Sequence, residues 1–175
     1  GFKLDYMYFP KHGTGDATSD QGMSGGGHGN KDSHDITLTG DLGDTGLSIG
    51  LGYAALNYDL PAAQTQDRDE GTVYVKYAID KLKLGYQQGR VSDKGLGTIT
   101  YKNQYFGVSY EVSEDLQVSY NRIESQKGSH EYGYAGGLDQ DFDSISLSYT
   151  VGGMTFGIAD ADCGNCSYTA SRSQD

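Results

Sequence analysis

The segment FGVSYEVSEDLQVSY, residues 106–120, decides the fold of this chain. Its apolar side chains recur at every second position until a short polar turn at 113–115, and the alternation resumes after the turn. A period of two places apolar and polar side chains on opposite faces of a β-strand. Two such strands around a short turn predict an antiparallel β-hairpin.

The same pattern recurs along the chain. VYVKYAIDKLKLGY from Val73 and ISLSYTVGGMTFGI from Ile145 both read as apolar-x-Tyr-x-apolar, a short turn, and then apolar-x-apolar. Alternation of the same kind runs through 47–53, and no segment shows the spacing of an amphipathic helix. We therefore predict an all-β chain of nine antiparallel strands that is built from repeated hairpins.

Composition limits the function classes. The chain has 175 residues, a net charge of −11 and a mean hydropathy of −0.59. It contains no long apolar run, which argues against a transmembrane helix or a signal-peptide core. Strong acidity argues against nucleic acid as a partner, because a nucleic-acid binder needs clustered Lys and Arg. The 15 tyrosines argue against a disordered chain.

Short and long connections between the strands alternate. Tight turns are predicted at 43–46, 80–81, 113–115 and 152–153, and long polar loops at 11–33, 60–71, 92–98, 125–141 and 163–175. This alternation places all short turns at one end of the sheet. A soluble β-sandwich and a transmembrane up-and-down barrel both use such hairpins. The barrel is favoured because it also explains a tyrosine near each short turn and small hydrophilic side chains opposite the apolar ones.

On the hairpins at 106–120 and 145–158, the chain resembles the general porins of Gram-negative outer membranes. The resemblance implies a water-filled transmembrane β-barrel, often of sixteen strands, with short periplasmic turns and long extracellular loops. It also implies a homotrimer in contact with outer-membrane lipid and lipopolysaccharide, through which small hydrophilic solutes diffuse. The channel is expected to need no cofactor.

Both ends of the sequence depart from the family pattern. The first residues already read as a strand, and the last ones lack the terminal aromatic strand that these proteins show. Nine strands also place the two ends on opposite sides of the barrel, whereas a closed antiparallel barrel has them on one side. We expect 1–175 to be one partial porin domain, roughly half of a sixteen-stranded barrel. The alternative is an eight-stranded barrel with an extra segment.

Strand parity predicts the residues that line the pore. The charged residues opposite the apolar positions are Lys3, Asp5, Lys76, Lys83, Lys102 and Glu111. Lys102 belongs to this set if Ile99 and Tyr101 face lipid; the parity then slips between Tyr105 and Phe106, which indicates a bulge or a change of environment there. Fixed charges in a pore bias which ions enter. The alternative for each charge is an ordinary solvated side chain.

The predicted lumen and the predicted loops differ in charge. The inward set leans cationic, while acidic residues gather in or beside the long loops, namely Asp67, Asp69, Glu70, Asp139, Asp141, Asp160 and Asp162. These two groups bias ion selectivity in opposite directions. Tyr77, Tyr110 and Tyr149 precede the short turns and are predicted to form an aromatic girdle at a membrane interface.

Two loops carry residues with possible chemistry. Cys163 and Cys166 form a C-x-x-C motif, but a redox site of this type needs a βαβ context and a zinc site needs two more ligands. In an external loop of an oxidising compartment, a local disulfide is the better interpretation. The loop 11–33 is rich in Gly, His and Asp and is the longest candidate for a constriction. Its spacing matches no closed metal site, so no metal is predicted.

The sequence contains no recognised catalytic motif: G-x-S-x-G, H-E-x-x-H and the P-loop are all missing. We therefore expect a passive diffusion channel without enzymatic activity. A surface adhesin or a structural β-protein is the main alternative, with the sheet as scaffold and the loops as contacts. An outer-membrane hydrolase is a third possibility.

Overall fold

The computed structural model describes residues 1–10, 29–30, 32–59, 67–94, 99–129 and 139–169. Within these ranges the chain forms eleven β-strands and two short 3₁₀ helices. The strands are β1 (Phe2–Phe9), β2 (Gly29–Asn30), β3 (Ser33–Asp41), β4 (Leu47–Leu56), β5 (Tyr58–Asp59), β6 (Asp67–Ile79), β7 (Leu82–Lys94), β8 (Ile99–Ser113), β9 (Leu116–Ser129), β10 (Asp139–Val151) and β11 (Met154–Gly164). The helices are η1 (Gly43–Thr45) and η2 (Cys166–Tyr168).

Nine of these strands form a single sheet in the order β1-β3-β4-β6-β7-β8-β9-β10-β11. Every neighbouring pair is antiparallel, and each long strand pairs with the next long strand along the chain. The two-residue strands β2 and β5 pair separately. The predicted all-β fold with antiparallel, up-and-down connectivity is therefore confirmed.

The four predicted short turns join β3 to β4, β6 to β7, β8 to β9 and β10 to β11, all at one end of the sheet, here called the short-turn end. Three of them use left-handed backbone, and in the β6–β7 turn the residue is Asp80, with φ of 49°. Gly152 and Gly153 have φ of 57° and 79°, as a two-residue hairpin turn requires. Gly46 has φ of 73°, and a Cβ there would lie 2.0 Å from the carbonyl oxygen of Ala78.

At the opposite, long-loop end the strands are longer than predicted. β6 already begins at Asp67, β9 continues to Ser129 and β11 continues to Gly164. The predicted loops 60–71, 92–98, 125–141 and 163–175 are too wide by these amounts, and the acidic residues assigned to them or beside them lie in strands. Charged side chains do not interrupt a ladder of backbone hydrogen bonds, so a strand continues where its apolar pattern stops. The predicted loop 11–33 lies almost wholly outside the described residues.

The large apolar side chains of the sheet are exposed. Leu4 is 66% exposed and Ile158 72% exposed, and Cys166 is the sole buried apolar residue within the described ranges. No second sheet of comparable size covers the first one in these ranges. The packing of two sheets that defines a β-sandwich is thus not formed by the described strands.

Within the same ranges, no helix is long and apolar enough to cross a membrane.

Candidate functional site

The strand register divides the sheet into two faces of opposite character. The apolar face is the one that carries Leu38, Leu51 and Val73, which pair in succession across β3, β4 and β6, and Leu84 and Val108, which pair across β7 and β8. Its apolar side chains form a continuous band from β1 to β11 next to the short-turn end. On β6 the band extends over 73–79, which is about 20 Å at the rise of a β-strand.

Toward the long-loop end the same face becomes charged, in what is called here the charged zone. It contains Asp67, Asp69, Arg90, Lys94, Lys102, Arg122, Glu124, Asp139, Asp141, Asp143, Asp160 and Asp162. Lys94 forms an ion pair with Asp69 at 2.8 Å, and Arg122 forms one with Glu124 at 2.8 Å. The apolar band therefore ends where charge begins, on one and the same face.

Tyrosines lie at both edges of the apolar band. The predicted girdle residues Tyr77, Tyr110 and Tyr149 are on the apolar face near the short-turn end. A second row, which the sequence reasoning missed, borders the charged zone and consists of Tyr6, Tyr53, Tyr86 and Tyr120. For Tyr86 and Tyr120 the sequence signal was available, because Gln88 and Arg122 follow them two positions later on the same face.

The hydroxyl groups of the second row all bond toward the long-loop end. Tyr53 donates to Asp69 at 3.0 Å, and Tyr120 donates to Asp143. The Tyr86 hydroxyl donates to Gln88 at 3.3 Å. The rings thus lie in the apolar band while the hydroxyls are held by the charged zone, which is the arrangement that an amphipathic ring adopts between an apolar and an aqueous phase.

The opposite face, called the polar face, carries mainly Ser, Thr, Gly, Asn and Gln. Five of the six predicted pore-lining residues lie on it, namely Lys3, Asp5, Lys76, Lys83 and Glu111. Four of the five are paired with each other: Lys3 Nζ lies 2.9 Å from Asp5, and Lys83 Nζ lies 2.7 Å from Glu111. Lys76 Nζ lies over the Tyr74 ring, 4.9 Å from its centroid. Each of these ion pairs has no net charge, and with Lys102 on the other face Lys76 is the one cation of the predicted set that has no acidic partner within it.

Lys102 does not lie on the polar face, and its prediction is corrected. Pairing between β7 and β8 is continuous from Ser92 and Thr100 to Leu82 and Tyr110, without a change of parity. The bulge of β8 lies between Glu111 and Ser113 instead. Lys102 therefore shares the face of Phe106. The sequence pattern gave the wrong face because the apolar face itself becomes charged between Phe106 and the long-loop end. In sequence, this change looks the same as a change of strand parity.

Cys163 and Cys166 form the predicted disulfide. The segment that follows folds onto the polar face, where the Tyr168 ring packs against Tyr101 at 5.6 Å and the Tyr168 hydroxyl hydrogen-bonds Ser125. Lys127 Nζ lies 5.6 Å from the Tyr168 ring centroid. A contact from η2 to β9 and β8 is not visible in local sequence, so no pattern could have nominated Tyr168.

Two adjoining depressions lie on the polar face. One of about 280 Å³ is lined by Tyr74, Lys76, Gly85, Gly107 and Asn121, among others. The second, of about 330 Å³, lies further toward the long-loop end and shares Gln87 and Tyr105 with the first. The apolar face has a depression of about 510 Å³. Leu38, Leu51, Val73 and Arg90 are among the residues that line it.

A tyrosine, a histidine and an aspartate lie close together near the start of β3. The Tyr6 hydroxyl is 2.7 Å from Nδ1 of His34, but Nε2 of His34 is 3.7 Å from Asp32, which is too far for a hydrogen bond. Within the described ranges no group of three or more His, Cys, Asp or Glu residues is arranged to hold a metal ion. The other His and Asp residues of the loop 11–33 lie outside these ranges.

Comparison with models of known protein families finds none that matches this chain, and comparison with curated protein sequences finds no significant match.

Proposed function

We propose that this chain forms part of the wall of an outer-membrane porin, a water-filled barrel for passive diffusion of ions and small hydrophilic solutes. The observation that carries the proposal is the exposed apolar band between two rows of tyrosines. Isolated soluble monomers rarely expose a continuous apolar surface, and one of this kind marks an interface with a membrane or a protein. An apolar band flanked by aromatic girdles is the lipid-facing surface of transmembrane barrels.

The polar face supplies the other surface that a pore needs. Its Ser, Thr, Gly, Asn and Gln side chains are uncharged. Lys3 is paired with Asp5 and Lys83 with Glu111, so these four charges cancel in pairs. Water and hydrophilic solutes can form hydrogen bonds with such a surface. The alternation of an apolar outer face and a polar inner face in every strand is the defining property of membrane barrels with aqueous channels.

The two edge strands of the sheet favour a barrel with more strands than the nine described here. β1 and β11 each pair with a neighbour on one side within the described ranges. Because nine antiparallel strands alternate in direction, β1 and β11 run the same way, and a direct pair between them would be parallel. We propose that an odd number of further strands closes the wall, so that every pair in the barrel is antiparallel.

The charged zone and the polar loops beside it fit the extracellular side of the membrane, and the short turns fit the periplasmic side. We further propose, from the resemblance to general porins, a homotrimer that contacts outer-membrane lipid and lipopolysaccharide. The site has no assigned catalytic group, and the proposal includes no reaction.

Planar bilayer conductance tests the proposal. The full-length protein that contains this chain, folded in detergent, is expected to give stepwise ohmic channels whose conductance scales with salt concentration. Its migration on a gel should also change on heating, since membrane barrels resist unfolding in detergent. Insertion into bilayers without any conductance would refute the channel and would favour the adhesin or structural alternative.

A further inference from the structure

The polar face carries two glycines that oppose each other in the middle of neighbouring strands. Gly85 on β7 pairs with Gly107 on β8. Glycine inside a strand weakens it and marks a bulge, a bend or the close approach of another group. Pairing is regular here, and neither glycine has a positive φ. A Cβ on Gly85 would meet no atom within 4 Å. At Gly85 neither the backbone nor the packing therefore requires glycine, and the space above it is open, whereas a Cβ on Gly107 would lie close to the Asn121 side chain.

Aromatic side chains border this open floor. Tyr74 and Tyr105 lie in the next row across the sheet, with Gln87 between them. The Tyr74 ring leans away over Gly50, where a Cβ would lie 2.2 Å from the ring. This inclination leaves the floor uncovered. Tyr105 is 37% exposed, so the polar face offers a tyrosine ring for contact beside the glycine floor.

The polar groups around the floor are suited to hydroxyl groups and to one negative charge. Gln87 donates to Thr72 at 3.2 Å, which orients its amide, and Oδ1 of Asn121 would lie 3.0 Å from a Cβ on Gly107. Amides both donate and accept hydrogen bonds, as hydroxyls do. Lys76 is the cation of the depression, and it forms no ion pair within the described ranges.

We propose that this depression, called here the glycine-floor site, binds a single sugar ring that carries a carboxylate, as in a uronic acid. Its volume of about 280 Å³ is at the lower end of ligand sites, which suits one ring. The C–H groups of a sugar face contact an aromatic ring, the hydroxyls bond the amides, and the carboxylate contacts Lys76. The role of the site in transport rests on the proposed channel, whereas binding itself does not.

Binding is tested on the full-length detergent-folded protein by saturation-transfer NMR with glucuronate, glucose and acetate as probes. Glucuronate is expected to receive saturation, glucose less, and acetate none. Gly85→Val should abolish the glucuronate signal, because a branched side chain suits a strand but fills the floor. Gly157→Val is the matched control, since Gly157 is also a polar-face glycine with nothing within 4 Å but lies on β11.

Lys76→Gln keeps a polar side chain, one atom shorter, and removes its charge. It should weaken glucuronate binding by about three-fold, the effect of one solvent-exposed ion pair, and leave glucose unchanged. Glucuronate binding that survives Gly85→Val, or a folded protein to which glucuronate does not bind, overturns the proposal. Conducting channels in a protein whose NMR spectra show no glucuronate binding would refute this site alone, and binding without conductance would refute the channel alone.

Discussion

Replacing Lys76 by glutamine should shift the ion selectivity of the pore toward cations. Lys76 lies on the polar face in the middle of β6, and within the described ranges it has a ring contact with Tyr74 but no carboxylate partner. Its charge is therefore not cancelled locally and acts on ions that pass the proposed lumen. Gln at this position retains a polar side chain, one atom shorter than that of Lys.

The size of this shift follows from Coulomb's law. At about 10 Å from the charge, the half-width assumed for a water-filled barrel, a unit charge contributes about 0.4 kcal/mol in water. Screening at 0.01 M salt, where the Debye length is about 30 Å, reduces this to about 0.3 kcal/mol. A cation and an anion are affected with opposite sign, so the permeability ratio should change about three-fold. At 1 M salt, where the Debye length is about 3 Å, the change should nearly vanish.

The assay is the reversal potential of single channels across a salt gradient, repeated at low and high mean concentration. Lys81→Gln is the control, because it removes the same charge from the same hairpin but in the short turn next to Ile79. It should change selectivity less than Lys76→Gln. An unchanged ratio at 0.01 M, or a shift equal to that of the control, would refute the placement of Lys76 in the lumen.

Three further predictions follow from the turns, the ion pair and the disulfide. Gly43→Ala should lower the free energy of unfolding, measured in urea, by about 1–2 kcal/mol, because the left-handed backbone at Gly43 disfavours a Cβ. Gly46→Ala should lower it further, because its new Cβ also meets the carbonyl oxygen of Ala78, and equal losses for the two variants would contradict that contact. Lys83→Gln should shift reversal potentials toward cations and Glu111→Gln toward anions, while the double variant returns close to wild type; a double variant that keeps either shift would argue against local cancellation. Cys166→Ser should lower the free energy of unfolding by about 2 kcal/mol, because the disulfide no longer restricts a four-residue loop in the unfolded chain. Equal stability of the reduced and the oxidised wild-type protein would contradict this prediction.

The sequence alone determined the local features of this protein. Alternation of two in segments such as 106–120 identified the strands, because each residue's face depends only on its neighbours. The short polar breaks Asp80-Lys81 and Gly152-Gly153 identified turns, because Asp and Gly are residues that adopt left-handed backbone. Asp80, Gly152 and Gly153 do have positive φ. The positions of the short turns then fixed the up-and-down order of the sheet.

The tertiary structure decided what depends on register and on contacts between distant strands. Lys102 was assigned to the wrong face because an apolar face that becomes charged resembles a change of parity, and only the pairing of β7 with β8 distinguishes the two. The ends of β6 and β11 could not be read from hydrophobicity, because backbone hydrogen bonds to a neighbouring strand continue past the last apolar side chain.

Neutralisation on the polar face also needed the structure. Lys83 and Glu111 are 28 residues apart, and only the pairing of β7 with β8 brings them to 2.7 Å. The contact of Tyr168 with Ser125, and the opposition of Gly85 and Gly107, arise in the same way. A periodic pattern gives the face on which a residue lies, but the residue beside it on the next strand is set by register, which is a property of the whole sheet.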